Sequence, residues 1–426
     1  MRLRLADSLR HSPWIRAGFT LGRLAGSLLP GCQAGAISAY EKAEHRYLCR
    51  LCRPLLPAAR RQIDPASDRF SRFHSIRSSR PQLTRSILLK APGPDGSKGV
   101  LALYFEYNLF RLLEGVDDLA SFQRDFDLVL CASWSPTDFS LLTHALNRLS
   151  GPLFVQPANY SDVEKIEAFD PRLRCVPGLA CDWVNPDLFS PIPHARREYD
   201  LVMVANWAPF KRHFEFFHAL SKMPRSLRVI LVGQDEGGYT AATIRKLAAD
   251  FGVPQHLTIA ESISISEVRK IQSNSKAAVI LSRREGGCVA AVEALFADTP
   301  LAMREDAHVG SLAHVNALTG MKLSASRPLD RQLTTLLESS ASIRPRQWAM
   351  ENISCQVTLR KIESFLRMEA LAAGRPWTSS LTPVCWAPYP TYLNVADREA
   401  MRPVYDRLHA RYPGVFAKDL PDTSHL

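Results

Sequence analysis

The apolar residues of this chain fall into short runs separated by longer amphipathic stretches, beginning near Ser86. Residues 87–89, 100–105, 128–131 and 153–156 have the length and composition of buried strands, with helical spacing over 137–149 and after Ser161. Pro94-Asp95-Gly96, between the first two runs, is a turn signature. Gly93, Gly96 and Gly99 around it match no phosphate fingerprint, so they read as a plain turn. A second alternation places strands at 201–205, 229–232, 257–259, 277–281 and 301–303, again with helices between them. Strand then helix, repeated, predicts parallel pairing through right-handed crossovers. The expected fold is α/β, with two Rossmann-like domains in tandem.

Between the two alternations, residues 176–193 are rich in Pro, Asn and Asp and read as a linker. A closing helix is expected over 348–368. The last fifty residues, with Trp377, Trp386, Tyr389 and Tyr392, are expected to cross back and brace the first domain. The expected organisation is a basic helical extension over 1–80, an N-terminal domain over 81–190, a C-terminal domain over 191–375 and a returning segment over 376–426.

The 426 residues suffice for two domains of ordinary size, and 46% apolar content argues against general disorder. Net charge is +11, but residues 1–80 hold fifteen Arg or Lys against five acids, so the remainder is close to neutral. In that segment Leu3, Leu5, Leu9, Trp14, Ile15, Phe19 and Leu24 interleave with Arg2, Arg4, Arg10, Arg16 and Arg23. Such a pattern suits an interfacial helix on an anionic membrane surface. A helical cap with a solvated basic face is the rival, and an Arg-rich transit peptide stays open. No apolar run approaches 18 residues, so no transmembrane span is expected. The expected location is cytoplasmic, peripheral on the membrane face. Nucleic-acid binding is not expected, because no recognised module accompanies the charge.

Nine cysteines, an odd number spread along the chain, fit reduced thiols. Cys49 and Cys52 lack a second pair at metal-ligand spacing, and no metal or cofactor is expected. Asp125-Phe126-Asp127 precedes a strand, so it reads as a cap and strand opening, not a manganese site.

The stretch richest in chemistry is 277–300, AAVILSRREGGCVAAVEALFADTP: strand, polar turn, helix. In open parallel sheets ligands bind beyond the carboxyl ends of the strands, where Glu285, Gly286 and Gly287 fall. The glycines admit a ligand to the backbone, and the N–H groups of Gly287, Cys288 and Val289 favour an anion. Glu285 repels phosphate and so should face hydroxyl donors. With a helix starting near Gly287, Glu293 lies roughly 9 Å along it. Acceptor, anion hole, acceptor is the order of a nucleotide sugar: sugar hydroxyls, diphosphate, ribose. The rival is a solvated Glu293 on a helix that buries Val289, Val292 and Phe296.

Glu285-Gly286-Gly287, Glu293-Ala294-Leu295 and Thr299-Pro300 fall in register with the nucleotide-sugar signature of retaining glycosyltransferases of family 4, which this segment resembles. Asp298 stands where that family usually has Gly. The resemblance runs from about Tyr199 to Leu323 and implies the GT-B arrangement of two Rossmann-like domains facing a cleft. It implies transfer of a sugar from a nucleotide-diphosphate donor, itself a substrate and not a cofactor, to an acceptor hydroxyl with retention. Glycan or lipid-linked acceptors are the expected partners. Family members place an Arg and a Lys, five apart, against the donor diphosphate. Lys211 fits the second, whereas Asn206 stands at the first, and Arg212, Arg283 or Arg284 would have to supply the missing cation. Catalysis is expected from Glu285 and Lys211, and donor binding from Glu293, Gly286, Gly287, Cys288, Val289, Asn206, Arg212, Arg284 and Gly233, whose strand end lies near the nucleotide in the family. His308 and Gly310 are expected at the border of the pocket. Two alternatives remain: a glycosyl phosphorylase or epimerase on the same fold, and a non-catalytic, membrane-associated GT-B scaffold.

Overall fold

The computed structural model describes residues 9, 11–29, 31–44, 46–62, 82–387 and 389–418. Leu3, Leu5, Arg2, Arg4 and Arg10 of the N-terminal pattern lie outside them. The chain divides into two compact units. One gathers the described residues up to Pro177 with Ile362–Val384 and those from Pro390 on; the other holds Gly178–Lys361 and Cys385–Tyr389.

The first unit opens with four helices, α1 (Pro13–Gly26), α2 (Gly35–Lys42), α3 (Arg46–Cys52) and α4 (Leu56–Arg61). They dock on the body of the unit by polar ties as well as apolar packing. Tyr40 Oη donates to the Lys165 carbonyl at 2.9 Å, and Lys165 Nζ to the carbonyls of Glu41 and Ala43 at 2.9 and 3.0 Å. A sheet of β1 (Ser86–Lys90), β2 (Gly99–Tyr104), β3 (Phe126–Cys131), β4 (Leu153–Gln156) and β5 (Leu173–Cys175) follows, with the strands in that order. Only β1 and β2 run antiparallel, joined by a turn in which Ser97 N donates to Asp95 Oδ1 at 3.1 Å. Helices α5 (Glu106–Gly115), α6 (Leu119–Asp125), α7 (Phe139–Arg148) and α8 (Val163–Glu167) connect the strands. Asp118 and Asp138 cap α6 and α7 with their side chains. Asp125 ends α6, and Asp127 within β3 is paired with Arg375 at 2.8 Å and Lys98 at 3.4 Å. That carboxylate pair is structural.

In the second unit β6 (Tyr199–Val204), β7 (Val229–Gly233), β8 (Leu257–Glu261), β9 (Ser275–Ile280), β10 (Leu301–Arg304) and β11 (Gly320–Leu323) form one wholly parallel sheet in the order β11-β10-β9-β6-β7-β8. The order reverses at β6 and β9, the switch point where such sheets hold ligands. Along these strands successive residues bury into opposite cores. Leu201, Met203, Leu231 and Val279 join one cluster, and Val202, Ile230, Ile280 and Met303 the other. Helices α9 (His213–Leu220), α10 (Ala241–Asp250), α11 (Ile265–Ser273), α12 (Val289–Phe296), α13 (Leu329–Ser339) and α14 (Pro345–Asn352) cover the faces. Thr240 and Ser264 start α10 and α11 with reciprocal side-chain caps.

The closing helix expected over 348–368 is interrupted. α14 ends at Asn352, and α15 (Cys355–Ala372) restarts after Cys355 N donates to the Val184 carbonyl at 3.0 Å. The returning chain ends in α16 (Val395–Arg411) and lies within the first unit. Tyr392 Oη donates to Leu88 O at 2.9 Å, Leu88 N donates to Tyr405 Oη at 3.0 Å, and Leu83 N to Val415 O at 2.8 Å. These bonds cover the outer edge of the first sheet, which β1 would otherwise leave open.

Candidate active site

The site is built on the turn between β9 and α12. The helix starts at Val289, later than Gly287, because Cys288 occupies the N-cap in a left-handed conformation at φ 59°. The 308–311 loop clamps this turn from the far side. Glu285 N donates to His308 O at 3.2 Å, Gly310 N to Gly286 O at 2.9 Å, and Ser311 N to Gly287 O at 3.1 Å. Tying down these two carbonyls turns the N–H groups of Gly287 and Cys288, in the same peptide planes, the opposite way. Among the described residues the N–H groups of Gly287, Cys288 and Val289 find no acceptor, and all three residues are partly open to solvent. Open amides at a helix start form an anion cradle.

Gly287 has a packing reason as well as a functional one. A Cβ there would lie 2.6 Å from Cys181 Cβ, so the floor of the cradle rests on that residue. Cys181, Asp182 and His314 form a buried cluster beneath it. Asp182 takes the Leu179 N–H at 2.9 Å, faces His314 Nε2 at 2.8 Å and accepts from Cys181 Sγ at 3.5 Å. With its acceptors engaged inside the protein, this cluster is a hydrogen-bonded support.

Glu285 and Lys211 are brought together: Lys211 Nζ bonds Glu285 Oε2, and both side chains are largely buried. Burial works against the Lys211 ammonium, but the hydrogen-bonded Glu285 carboxylate outweighs it, and its pKa is raised. Burial and the same carboxylate push the Cys288 thiol far up, so it is a neutral packing group. The other carboxylate oxygen, Glu285 Oε1, is buried and accepts no hydrogen bond. Glu293 is not the solvated helix residue of the rival reading, being 6% exposed on a helix buried on nearly every side. Burial raises its pKa to about 7, with Arg269 pulling the other way from beyond ion-pair reach. No described side chain or amide donates to it. Two enclosed carboxylates with vacant acceptor positions thus stand on the same turn and helix as the cradle, one before it in the chain and one after.

The remaining expected residues divide. Asn206 Nδ2 donates to Glu236 Oε2 at 3.3 Å, leaving Oδ1 buried and unbonded. Arg212, expected as a donor-binding cation, is paired within the fold. It sits at φ 64° with its guanidinium on Glu215, which also takes Arg304 at 2.7 Å, so its charge is consumed inside the fold. Arg283 reaches Asp306 at 3.6 Å. Arg284 is partly exposed, and its backbone bridges to His308. Gly233 also has another purpose than ligand approach. A Cβ there would meet the Ala205 carbonyl oxygen and come within 2.7 Å of the Trp207 ring, so the glycine makes room for the neighbouring strand end and a core tryptophan. His308 and Gly310 act through their backbones, as the clamp.

Two groups escaped the sequence reading. His213, buried against Trp207 at 5.5 Å, has its pKa lowered to about 4 by burial and by the Lys211 charge. Arg269, with its guanidinium over the Phe189 ring at 5.7 Å, is the cation nearest Glu293. His213 follows Lys211 by two residues and could have been suspected; nothing in the spacing ties Arg269 to Glu293.

Residues 185–310 match the family model described as glycosyl transferases group 1, a span that includes β6 to β10 and the whole cradle. No curated protein matches the chain. Among solved structures, HepE from Anabaena in complex with UDP is similar at 14% identity, with a TM-score of 0.50, over 63% of this chain and 78% of that one. Sucrose-phosphate synthase from Thermosynechococcus elongatus is similar at 17% identity, with a TM-score of 0.49, over 64% and 74%. The two α/β units and the likeness to HepE show a GT-B fold. The match to the group 1 glycosyl transferase model lies wholly within the second unit.

Proposed function

We propose that the second unit binds a nucleoside-diphosphate sugar and that the protein transfers the sugar to an acceptor hydroxyl with retention at the anomeric carbon. The observation that carries this reading is the pair of enclosed carboxylates, each with a vacant acceptor position, on either side of the open amides of Gly287, Cys288 and Val289. Hydroxyls of the sugar satisfy Glu285, ribose hydroxyls satisfy Glu293, and the diphosphate takes the amides and Lys211. HepE was solved with UDP and with UDP-glucose, which supports a donor of this class. As the glycosidic C–O bond to the diphosphate breaks, its bonding electrons go to the departing oxygen. The acceptor oxygen bonds the same carbon, and its proton passes to the departing diphosphate. Lys211 and the cradle stabilise the charge that develops there, without reorganisation. These fixed charges serve where a divalent cation otherwise would, and the reading is of metal-independent transfer by a cytoplasmic enzyme onto a glycan or lipid-linked glycan.

Thermal-shift measurements with UDP, GDP and ADP test the donor. A nucleotide present at 100 times its dissociation constant adds about 2.7 kcal/mol of stability. In a transfer assay with the donor so found, Glu285→Ala is expected to lose about 2–4 kcal/mol of transition-state stabilisation, and wild-type turnover is expected to survive EDTA. Near wild-type turnover by Glu285→Ala would remove that residue from the mechanism. Absence of a shift with any nucleotide would favour the scaffold reading.

A further inference from the structure

The N-terminal helix α1 is amphipathic in the reverse of the usual sense. Arg16 pairs with Glu44, and Arg23, though exposed, donates to Ser38 Oγ at 2.8 Å, so both arginines are tied to the neighbouring chain. Thr20, between them on the same side, is 2% exposed and donates to the Arg16 carbonyl. At 100° per residue, Trp14, Ile15, Gly18, Phe19, Leu21 and Gly22 fall on the opposite arc, and all six are exposed. Trp14 is 87% and Phe19 71% exposed, and the face continues past the helix end into Leu28 at 67% and Leu29 at 61%. A solvated cap would have its charges and its apolar residues the other way round.

We propose that this face is a membrane-docking surface, with α1 lying flat in the headgroup region of an anionic bilayer. Its 14 residues span about 21 Å at 1.5 Å per residue, too short to cross the hydrocarbon core, and no described helix is long and apolar enough to do so. Trp and Phe beside Leu are the residues that partition into that interface. Charge decides between a bilayer and a second copy of the chain. Residues 1–80 carry fifteen basic against five acidic residues, and Arg46, Arg50 and Arg53 are exposed on α3 and just after it, in a helix that packs against α1. Face-to-face dimerisation would oppose two such segments, whereas an anionic surface attracts them. Attachment thus has two separable parts, apolar insertion through α1 and attraction through the exposed arginines. Arg16 and Arg23 belong to neither.

The test is flotation of the full chain with vesicles of phosphatidylcholine alone and of phosphatidylcholine with 30% phosphatidylglycerol. Binding is expected to the anionic vesicles, reduced but not abolished by 0.5 M NaCl. The double variant Trp14→Ser/Phe19→Ser is expected to bind at least tenfold more weakly with an unchanged melting temperature, since both side chains are exposed. The triple variant Arg46→Gln/Arg50→Gln/Arg53→Gln is expected to lose the salt-sensitive part only. Failure of the wild-type chain to bind anionic vesicles, or equal binding by the double variant, would overturn the proposal. So would sedimentation showing a dimer that the double variant dissolves, which would assign the face to self-association. The proposal is independent of the donor site, and none of these outcomes bears on it.

Discussion

At the scale of single residues the site is governed by enclosed groups whose charge states are held by neighbours. Glu293 and His213 make opposite demands on pH. A carboxyl whose folded pKa is raised to about 7 keeps its proton longer in the folded state, so its stabilisation is present at low pH and is lost as pH rises from the unfolded value towards 7. A histidine lowered to about 4 is neutral in the folded state over a range where the unfolded chain takes up a proton. Its contribution is therefore present above pH 6.5 and lost as pH falls towards 4. The two slopes oppose each other between about pH 4.5 and 6.5. Glu293→Gln removes one of them, and its stability relative to wild type is expected to improve from pH 5 to pH 8 by on the order of 3 kcal/mol. Urea denaturation across that range checks this, and a parallel pair of curves would refute the buried-acid description. On the proposed donor reading a ribose hydroxyl bonds the charged carboxylate more strongly than the neutral acid, so nucleotide affinity of the wild-type protein is expected to weaken below pH 7.

At the scale of elements, legibility followed burial. Strands β3, β4, β6, β7, β9 and β10 are apolar on both faces, and each was apparent as an uninterrupted run. β5 and β11 were missed: they are short, lie at sheet edges, and carry Arg174 and Lys322. A charge tolerated at an edge destroys the pattern a central strand displays. Asp298 was legible for a conformational reason. It adopts the left-handed conformation at φ 57°, and Thr299 N returns to Ala294 O at 2.9 Å, the helix ending that Gly more often supplies. Glu285 and Glu293 stood out within one contiguous pattern, and Lys211 within a second one 74 residues before Glu285. Arg212 and Gly233 carried the right chemistry in the right places but serve the fold, since their partners, Glu215 and Trp207, are known only in three dimensions. Gly233→Ala checks that assignment. It is expected to cost about 1–3 kcal/mol by forcing the Ala205 carbonyl and Trp207 aside, with nucleotide affinity of the folded fraction unchanged. A loss of affinity at full stability would return Gly233 to the donor site.

At the scale of the whole molecule, each unit is closed by chain distant in sequence. The return of α16 to the first unit is the clearest case, because Leu88 in β1 takes both of its outward backbone bonds from tyrosines more than three hundred residues later. Tyr405→Phe leaves the Leu88 N–H buried without an acceptor, a loss of about 1–3 kcal/mol. Hydrogen exchange is the direct measurement: the Leu88 amide should lose protection while β3 and β4 keep theirs. Equal protection in the variant would mean the edge is covered by something other than the returning chain. The return was expected from aromatic content, but Trp386 and Tyr389 belong to the second unit, and the bonds to Leu88 are made by Tyr392 and Tyr405.

The Lys211–Glu285 contact has one consequence for discrimination. With the site empty, the two side chains neutralise each other, so an entering phosphate or sulfate must detach the ammonium while leaving a bare carboxylate behind in an enclosed place. A simple inorganic anion has nothing to offer that carboxylate. On the proposed donor reading, a molecule bearing hydroxyls next to its phosphates would compensate both halves of the broken pair, whereas a simple inorganic anion would not.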